Sequence, residues 1–230
     1  MNEMIKSSAY FGAVLTLGCC YIGVLVNRRF KSALLNPTLI ATVLCIGVLC
    51  VFKIDYASYN ASAKYVSYLL TPATVSLSIG LYQKIQLLKQ NPVAILLGIA
   101  AGIFANLLSI AAIALILGLG RADFFTLLPK SITTAIGMPL AEGLGGYGSI
   151  AAVIIIITGI VGNALAPWFL KLIKVTDPIA KGIAVGSASH VIGTARALEM
   201  GKTEGAMSSL AVIVSGLITV ALASVLGGLI

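Results

Sequence analysis

Charged residues are so widely spaced along this chain that the stretches between them act as a ruler. Residues 7–27 give 21 uncharged, mostly apolar positions, 32–52 give another 21, and 65–83 give 19. Further on, 90–120, 143–170 and 205–230 give 31, 28 and 26. About 20 apolar residues in a helix cross the hydrocarbon core of a bilayer. A charge at its centre costs a few kcal/mol on insertion scales. The pattern therefore predicts six crossings. Two shorter gaps, 131–141 with 11 residues and 182–195 with 14, cannot cross alone. The expected fold is an all-α polytopic membrane protein, with residues 1–230 as a single transmembrane domain. It has about six crossing helices plus two broken or re-entrant helical segments.

The short pieces are also unusual in composition. The first, 128–139, holds Pro129, Lys130, Ser131, Thr133, Thr134, Gly137 and Pro139. The second, 186–196, holds Gly186, Ser187, Ser189, His190, Gly193, Thr194 and Arg196. The middle of the third crossing is similar, with Thr71, Pro72, Thr74 and Ser76. Pro and Gly interrupt the helical ladder, and backbone groups freed at membrane depth must be buried in protein or line a wet cavity. Three such segments point to broken helices meeting at a site. Ordinary kinks, with Ser and Thr bonding back to helix carbonyls, are the alternative. A weak internal echo accompanies them. The first span, its basic end and Asn36-Pro37 resemble the later span, Lys171, Lys174 and Asp177-Pro178. Duplicated halves with broken helices at mid-membrane occur in many secondary transporters, including elevator types.

Composition agrees with the ruler. Of 230 residues, 59% are hydrophobic and 10% charged, and the mean hydropathy is +1.08. A soluble domain carries about a quarter charged residues, so a cytosolic, disordered or disulfide-built secreted protein is excluded. The net charge of +8 is spread thinly between apolar stretches. It fits the excess of Lys and Arg in cytoplasmic loops better than a nucleic-acid surface. Cys19, Cys20, Cys45 and Cys50 lie in apolar runs without the spacing of a metal or redox site. No cleavable signal peptide is evident, and the first span is expected to act as its own insertion signal.

Three residues stand out chemically. Lys130 follows Pro129, so a half-helix starting there would put a cation beside orphan N–H groups, an arrangement that suits a carboxylate. A lysine snorkelling to a nearby interface is the alternative, since Arg121 and Asp123 are close in sequence. Arg196 would share a helix face with Ser189 and Gly193 and could offer its planar fork to an anion. It could instead be neutralised by Glu199. His190, the only histidine, could donate to a substrate or relay protons, or could simply be a hydrogen-bonded packing residue. Glu142, Asp123 and Asp177 read as loop or boundary groups. Gly98 with Gly102, and Gly182 with Gly186, are small-residue pairs that let helices approach closely. Met200 to Thr203 resembles the end of a P-loop, but Arg196 occupies the required first glycine, so no nucleotide site follows. Asn60-Ala-Ser62 fits a glycosylation pattern too short to carry weight. No catalytic constellation or metal cluster is apparent, so an enzyme is not expected and no cofactor is implied.

The same segments carry a resemblance. Thr71-Pro-Ala-Thr74 with Ser76, Pro129-Lys-Ser-Ile-Thr-Thr134, and the string Ser187-x-Ser-His-Val-Ile-Gly-Thr-Ala-Arg196 resemble signatures of the LrgB/CidB family. YohK-type bacterial inner membrane proteins belong to that family, and the C-terminal half of the plastid glycolate/glycerate translocator is similar. The likeness runs through nearly the whole chain in order. It departs at Thr71, where the family typically has Gly. It implies a multi-pass protein of the bacterial cytoplasmic (inner) membrane that works with a small LrgA/CidA-type membrane partner. A homodimer or higher homo-oligomer is also implied, with no nucleic acid involved. Family members are described either as carriers or channel components for small monocarboxylates (pyruvate, glycolate or glycerate class) or as antiholin-like or holin-like modulators of murein hydrolase export and autolysis. Polar and charged groups at membrane depth are expensive unless they bind something, so the carrier is the expected function and the antiholin-like role the alternative. The expected site for a small organic anion is Thr71, Thr74, Ser76, Lys130, Ser131, Thr133, Thr134, Ser187, Ser189, His190, Gly193, Thr194 and Arg196.

With both short pieces re-entrant, Arg28, Arg29, Lys31, Lys84, Lys89, Lys171, Lys174, Lys181 and Lys202 fall on one side, and Lys6, Lys53, Lys64 and Arg121 on the other. The Arg28–Lys31 loop is therefore expected in the cytoplasm, with both termini outside. A cysteine placed at position 29 in a cysteine-free chain should resist an impermeant thiol reagent applied to intact cells; labelling from outside would reverse the orientation.

Overall fold

A computed structural model describes residues 10–30, 37–69, 72, 86, 89 and 92–229. Among the described residues it is all-α: α1 (Phe11–Phe30), α2 (Pro37–Val51), α3 (Tyr56–Ser67), α4 (Pro92–Leu117), α5 (Arg121–Leu127), a 3-10 turn (Leu128–Ser131), α6 (Thr134–Gly143), α7 (Gly148–Leu172), α8 (Pro178–Met200) and α9 (Lys202–Leu229). Four of these are long and apolar enough to cross a bilayer: α1, α4, α7 and α9. They coincide with four of the six long uncharged gaps. In the 32–52 gap the helix is shorter, 15 residues. Most of the 65–83 gap lies outside the described residues, and α3 enters it only as far as Ser67. The chain is an all-α polytopic membrane protein.

Two compact units divide it, Met1–Ala73 and Thr74–Ile230. In the first, α1 packs on α2 and α3. The first-turn N–H of Gly12 donates to Ser62 Oγ at 2.7 Å, filling a bond that a helix start cannot make internally. Thr16 Oγ1 donates to Gly12 O at 2.7 Å and lies 2.8 Å from Tyr59 OH. Ser62 is buried in this contact, which places the Asn60-Ala-Ser62 pattern inside a packed helix.

In the second unit the two short gaps become two re-entrant hairpins. The first enters through α5 and the 3-10 turn, reverses at residues 131–133 and leaves through α6. Gly137 lies back against Pro129, eight residues earlier, where an added methyl would sit 3.1 Å from Pro129 Cβ. The open end is closed by Tyr147 N–H donating to Thr126 Oγ1 at 2.8 Å. The second hairpin is α8, which is broken at His190 (φ 43, ψ −145). Gly193 abuts Val185, with 3.2 Å between an added methyl and Val185 Cγ1. A straight helix would separate these positions by about 12 Å. Its two limbs lie on the same helix: Gly182 and Gly186 rest on Glu204 and Ser208 of α9, and the returning Thr194 and Leu198 meet Ser208 and Gly205.

Small residues make that stacking possible. The entering limb also presents Ile183 and Ser187 to Gly98 and Gly102 of α4. Both glycine pairs singled out in the sequence therefore seat the same limb, one on each side. An apolar core of Ile95, Ile99, Ile103, Ile183, Met207 and Leu210 ties α4, α8 and α9 together. Phe125, Leu128 and Ala223 hold the first hairpin to α9. Pro178 begins α8 under an Asp177 cap, whose carboxylate accepts Ala180 N–H at 2.8 Å. α2 also begins on a proline, Pro37. Lys171, Lys174, Lys181 and Lys202 gather where α7 ends, α8 begins and returns, and α9 starts. This grouping accounts for four of the nine residues placed together by charge.

Close packing gives a direct test. A methyl on Gly159 of α7 would lie 2.6 Å from His190 Cε1 and 2.9 Å from Ile192 Cβ, and the ring cannot swing aside while its own bond holds it. Gly159→Ala should cost about 1–3 kcal/mol from overpacking. Gly98→Ala, which meets only Ile183 at an ordinary 3.5 Å, should be neutral or stabilising by about 0.5–1 kcal/mol. Thermal unfolding in detergent measures both.

Candidate functional site

The two hairpin tips meet on one turn of α7. Ile155 lends its backbone carbonyl to His190, whose Nε2–H donates to it at 2.9 Å. The Ile155 side chain faces Gly137 of the first hairpin. The 3-10 turn packs on α4, α7 and α8. Each hairpin's return limb starts its helix at this junction: α6 from Thr134 and the second half of α8 from Val191. Two helix N-termini, each with the orphan first-turn N–H groups and positive dipole end of any helix start, are thus brought to the same turn of α7.

Polar side chains hold the tips in place. Thr194 Oγ1 donates to His190 O at 3.0 Å and lies 2.7 Å from Ser208 Oγ. Asn163 Nδ2 donates to Ile192 O at 2.8 Å. In the other hairpin Ser131 Oγ donates to Asn106 Oδ1 at 3.2 Å, and Asn106 Nδ2 donates to Leu128 O at 3.3 Å. These bonds replace backbone partners lost at the reversals. His190 is a non-glycine residue at positive φ, which costs about 1–3 kcal/mol and persists only where its surroundings impose it.

Three buried polar atoms among the described residues have no partner: Thr133 Oγ1, Ser187 Oγ and Arg196 Nε. An unmet buried polar group costs about 1–3 kcal/mol. All three can donate. Thr133 precedes α6 as its cap residue yet makes no capping bond with its side chain. Lys130 is half-buried one residue before the reversal, and neither a hydrogen bond nor an ion pair joins it to a described residue. Arg121 and Asp123 lie at the opposite, open end of that hairpin, so Lys130 is a tip residue and not an interfacial neighbour of theirs.

Several expected site residues are thus brought together: Lys130, Ser131, Thr133 and Thr134 at one tip, and Ser189, His190, Gly193 and Thr194 at the other, with Ser187 one turn before it. Arg196 is placed differently. It sits in the returning limb near Gly201, and its guanidinium pairs with Glu199 Oε2 at 2.5 Å, with that carboxylate largely exposed. A single helix face joining Ser189, Gly193 and Arg196 does not form, because the chain reverses between the first and the other two. Thr71, Thr74 and Ser76 lie outside the described residues. Sequence reasoning passed over Asn106 and Asn163 because they carry no charge; a polar amide in the middle of a 26- or 25-residue apolar helix was the available signal. The Ile155 carbonyl had no signal at all.

Residues 16–229 match the family model described as LrgB-like. The chain belongs to the LrgB-like family. It is 38% identical over 212 residues to proteins named antiholin-like protein LrgB from Bacillus cereus (strain B4264) and Bacillus anthracis (strain A0248), covering 92% of this chain and 92% of each relative. No solved structure matches it. The match to the LrgB-like family takes in both hairpins and the whole of α4 to α9.

Proposed function

We propose that this LrgB-like chain acts in the bacterial cytoplasmic membrane in the antiholin-like role that its relatives' names carry, restraining murein hydrolase export and autolysis without being an enzyme. What supports this is 38% identity maintained over 92% of the chain to proteins of that name. A small LrgA/CidA-type membrane protein is the partner that the reading calls for. Disrupting the encoding gene should raise detergent-stimulated autolysis, and restoring the chain should reverse it. Unchanged autolysis in the disrupted strain would overturn this role.

A second reading, a carrier or channel component for small monocarboxylates of the pyruvate, glycolate or glycerate class, is favoured by one feature of the geometry. Two half-helix N-termini meet beside Lys130 and the unpartnered Thr133 hydroxyl. Discontinuous helices that aim their positive ends at an anionic substrate near the bilayer midplane are a recurrent transporter device. Proteoliposomes holding the purified chain should take up labelled monocarboxylate, and Lys130→Gln should weaken uptake roughly ten- to a hundredfold, as expected for one lost charged hydrogen bond. Arg196→Lys should also impair uptake, because a lysine keeps the charge but not the planar fork. The exposed Lys89→Gln serves as control. If Arg196→Lys transports normally, Arg196 is a structural partner of Glu199. No uptake by the wild-type chain, alone or with the small partner, would remove the carrier reading.

A further inference from the structure

Away from the hairpin tips, the open end of the second hairpin carries two contiguous apolar grooves. One, of about 500 Å3, runs between Ile95 and Gly98 of α4 and Ile179 and Ile183 of α8. The other, of about 320 Å3, runs along α7 past Val161, Leu165 and Trp168 toward Ser189. They share Leu170, Ile173 and Ala184, so they diverge from a common edge. Both follow the direction of the crossing helices, from the end of α7 into the membrane.

Three lysines flank the residues of that common edge in sequence, although none lines either groove. Lys171 lies in the last turn of α7, and Lys181 in the first turn of α8. Lys174 stands between them at φ 58, a left-handed turn that lets Val175 N–H return to Leu170 O at 3.0 Å. Asp177, the only acid in 171–181, lines the first groove and its carboxylate accepts Ala180 N–H, so one negative charge stands against three lysines. Nearby, Glu199 is neutralised by Arg196, and Glu204 is next to Lys202. The rim is net positive where it meets the interface, and beneath it the walls are almost wholly apolar.

We infer that this end of the protein binds an anionic diacyl phospholipid, with one acyl chain in each groove and its phosphate over Lys171, Lys174 and Lys181. A free phosphate would have no use for two apolar grooves, and a zwitterionic lipid would not exploit the surplus cations. Basic clusters between transmembrane helices on the cytoplasmic side are a known way of selecting anionic headgroups. The second groove reaches the tip residue Ser189 at its inner end, but the headgroup position lies at the opposite end, and the proposal rests on neither functional reading.

The chain supplies its own probe. Trp168, its single tryptophan, lines the second groove and is also largely exposed. Emission excited selectively from tryptophan therefore reports on lipid in and beside that groove, and the comparison of two lipids at equal mole fraction isolates the preference. In phosphatidylcholine vesicles containing equal mole fractions of acyl-brominated lipid, brominated phosphatidylglycerol should quench Trp168 more strongly than brominated phosphatidylcholine. A cation near a membrane surface contributes roughly fivefold to anionic lipid binding. Each Lys→Gln change should therefore erode the preference stepwise, and Lys171→Gln/Lys174→Gln/Lys181→Gln should abolish it. Ala184→Phe, which fills the shared edge, should lower quenching by both lipids. Should the triple variant fail to fold, high salt added to the wild-type protein should remove the preference by screening. Equal quenching by the two lipids, or a preference insensitive to salt and to lysine loss, would overturn the site.

Discussion

Everything in the larger unit depends on keeping two chain reversals at membrane depth. Lipid offers no hydrogen-bond partners, so a reversal there is tolerated only if protein supplies every lost bond. The bond from His190 to the Ile155 carbonyl is the centre of that arrangement. It fixes a strained residue at one tip to the helix turn against which the other tip leans. Asn163, Thr194 and Ser208 hold the chain just beyond His190, and Asn106 does the same for the 3-10 turn. Without such partners the reversals would straighten or leave the membrane.

Small residues are the second requirement. A hairpin brings two limbs into the space usually occupied by one helix, so its neighbours must approach to backbone contact. Gly98 and Gly102 accommodate the entering limb from α4, Gly182 and Gly186 let it rest on α9, and Gly159 leaves room for the His190 ring. Apolar burial then becomes continuous across α4, α8 and α9. Packing of this kind holds the tips in one arrangement while leaving Thr133, Ser187 and Arg196 with unused hydrogen-bonding capacity. Groups left costly in this way are easier to understand if something binds them than if they serve the fold alone.

The architecture also separates two chemistries. The tips concentrate helix N-termini, hydroxyls and Lys130 away from both ends of the helices. The open end of the second hairpin concentrates lysines, exposed at Lys171, Lys174 and Lys202 and half-buried at Lys181, near apolar grooves. Arg196 belongs to this second region by position, since its partner Glu199 is exposed near Gly201. The two cations are therefore held differently: Lys130 stands at a tip without a hydrogen-bond partner among the described residues, while Arg196 is paired with Glu199 farther along the returning limb and keeps its buried Nε–H unused.

Charge spacing alone determined much of this. Gaps of 11 and 14 residues cannot span a bilayer, and the residues in them can neither leave it cheaply nor cross it, so re-entrance was legible before any coordinates. Family membership was legible as well, because the polar strings inside those gaps are specific. The direction of each limb was not. Ser189, Gly193 and Arg196 look like one helical face because helical periodicity assumes a continuous ladder, and no local signal says that His190 ends it. Neither could the sequence name the Ile155 carbonyl or Asn163 as partners, since backbone acceptors have no residue code and an uncharged amide does not interrupt a gap measured by charges. Only tertiary structure decided these, because the reversal at His190 is imposed by bonds from another helix and by the room its glycines leave, and not by the preferences of the segment that turns.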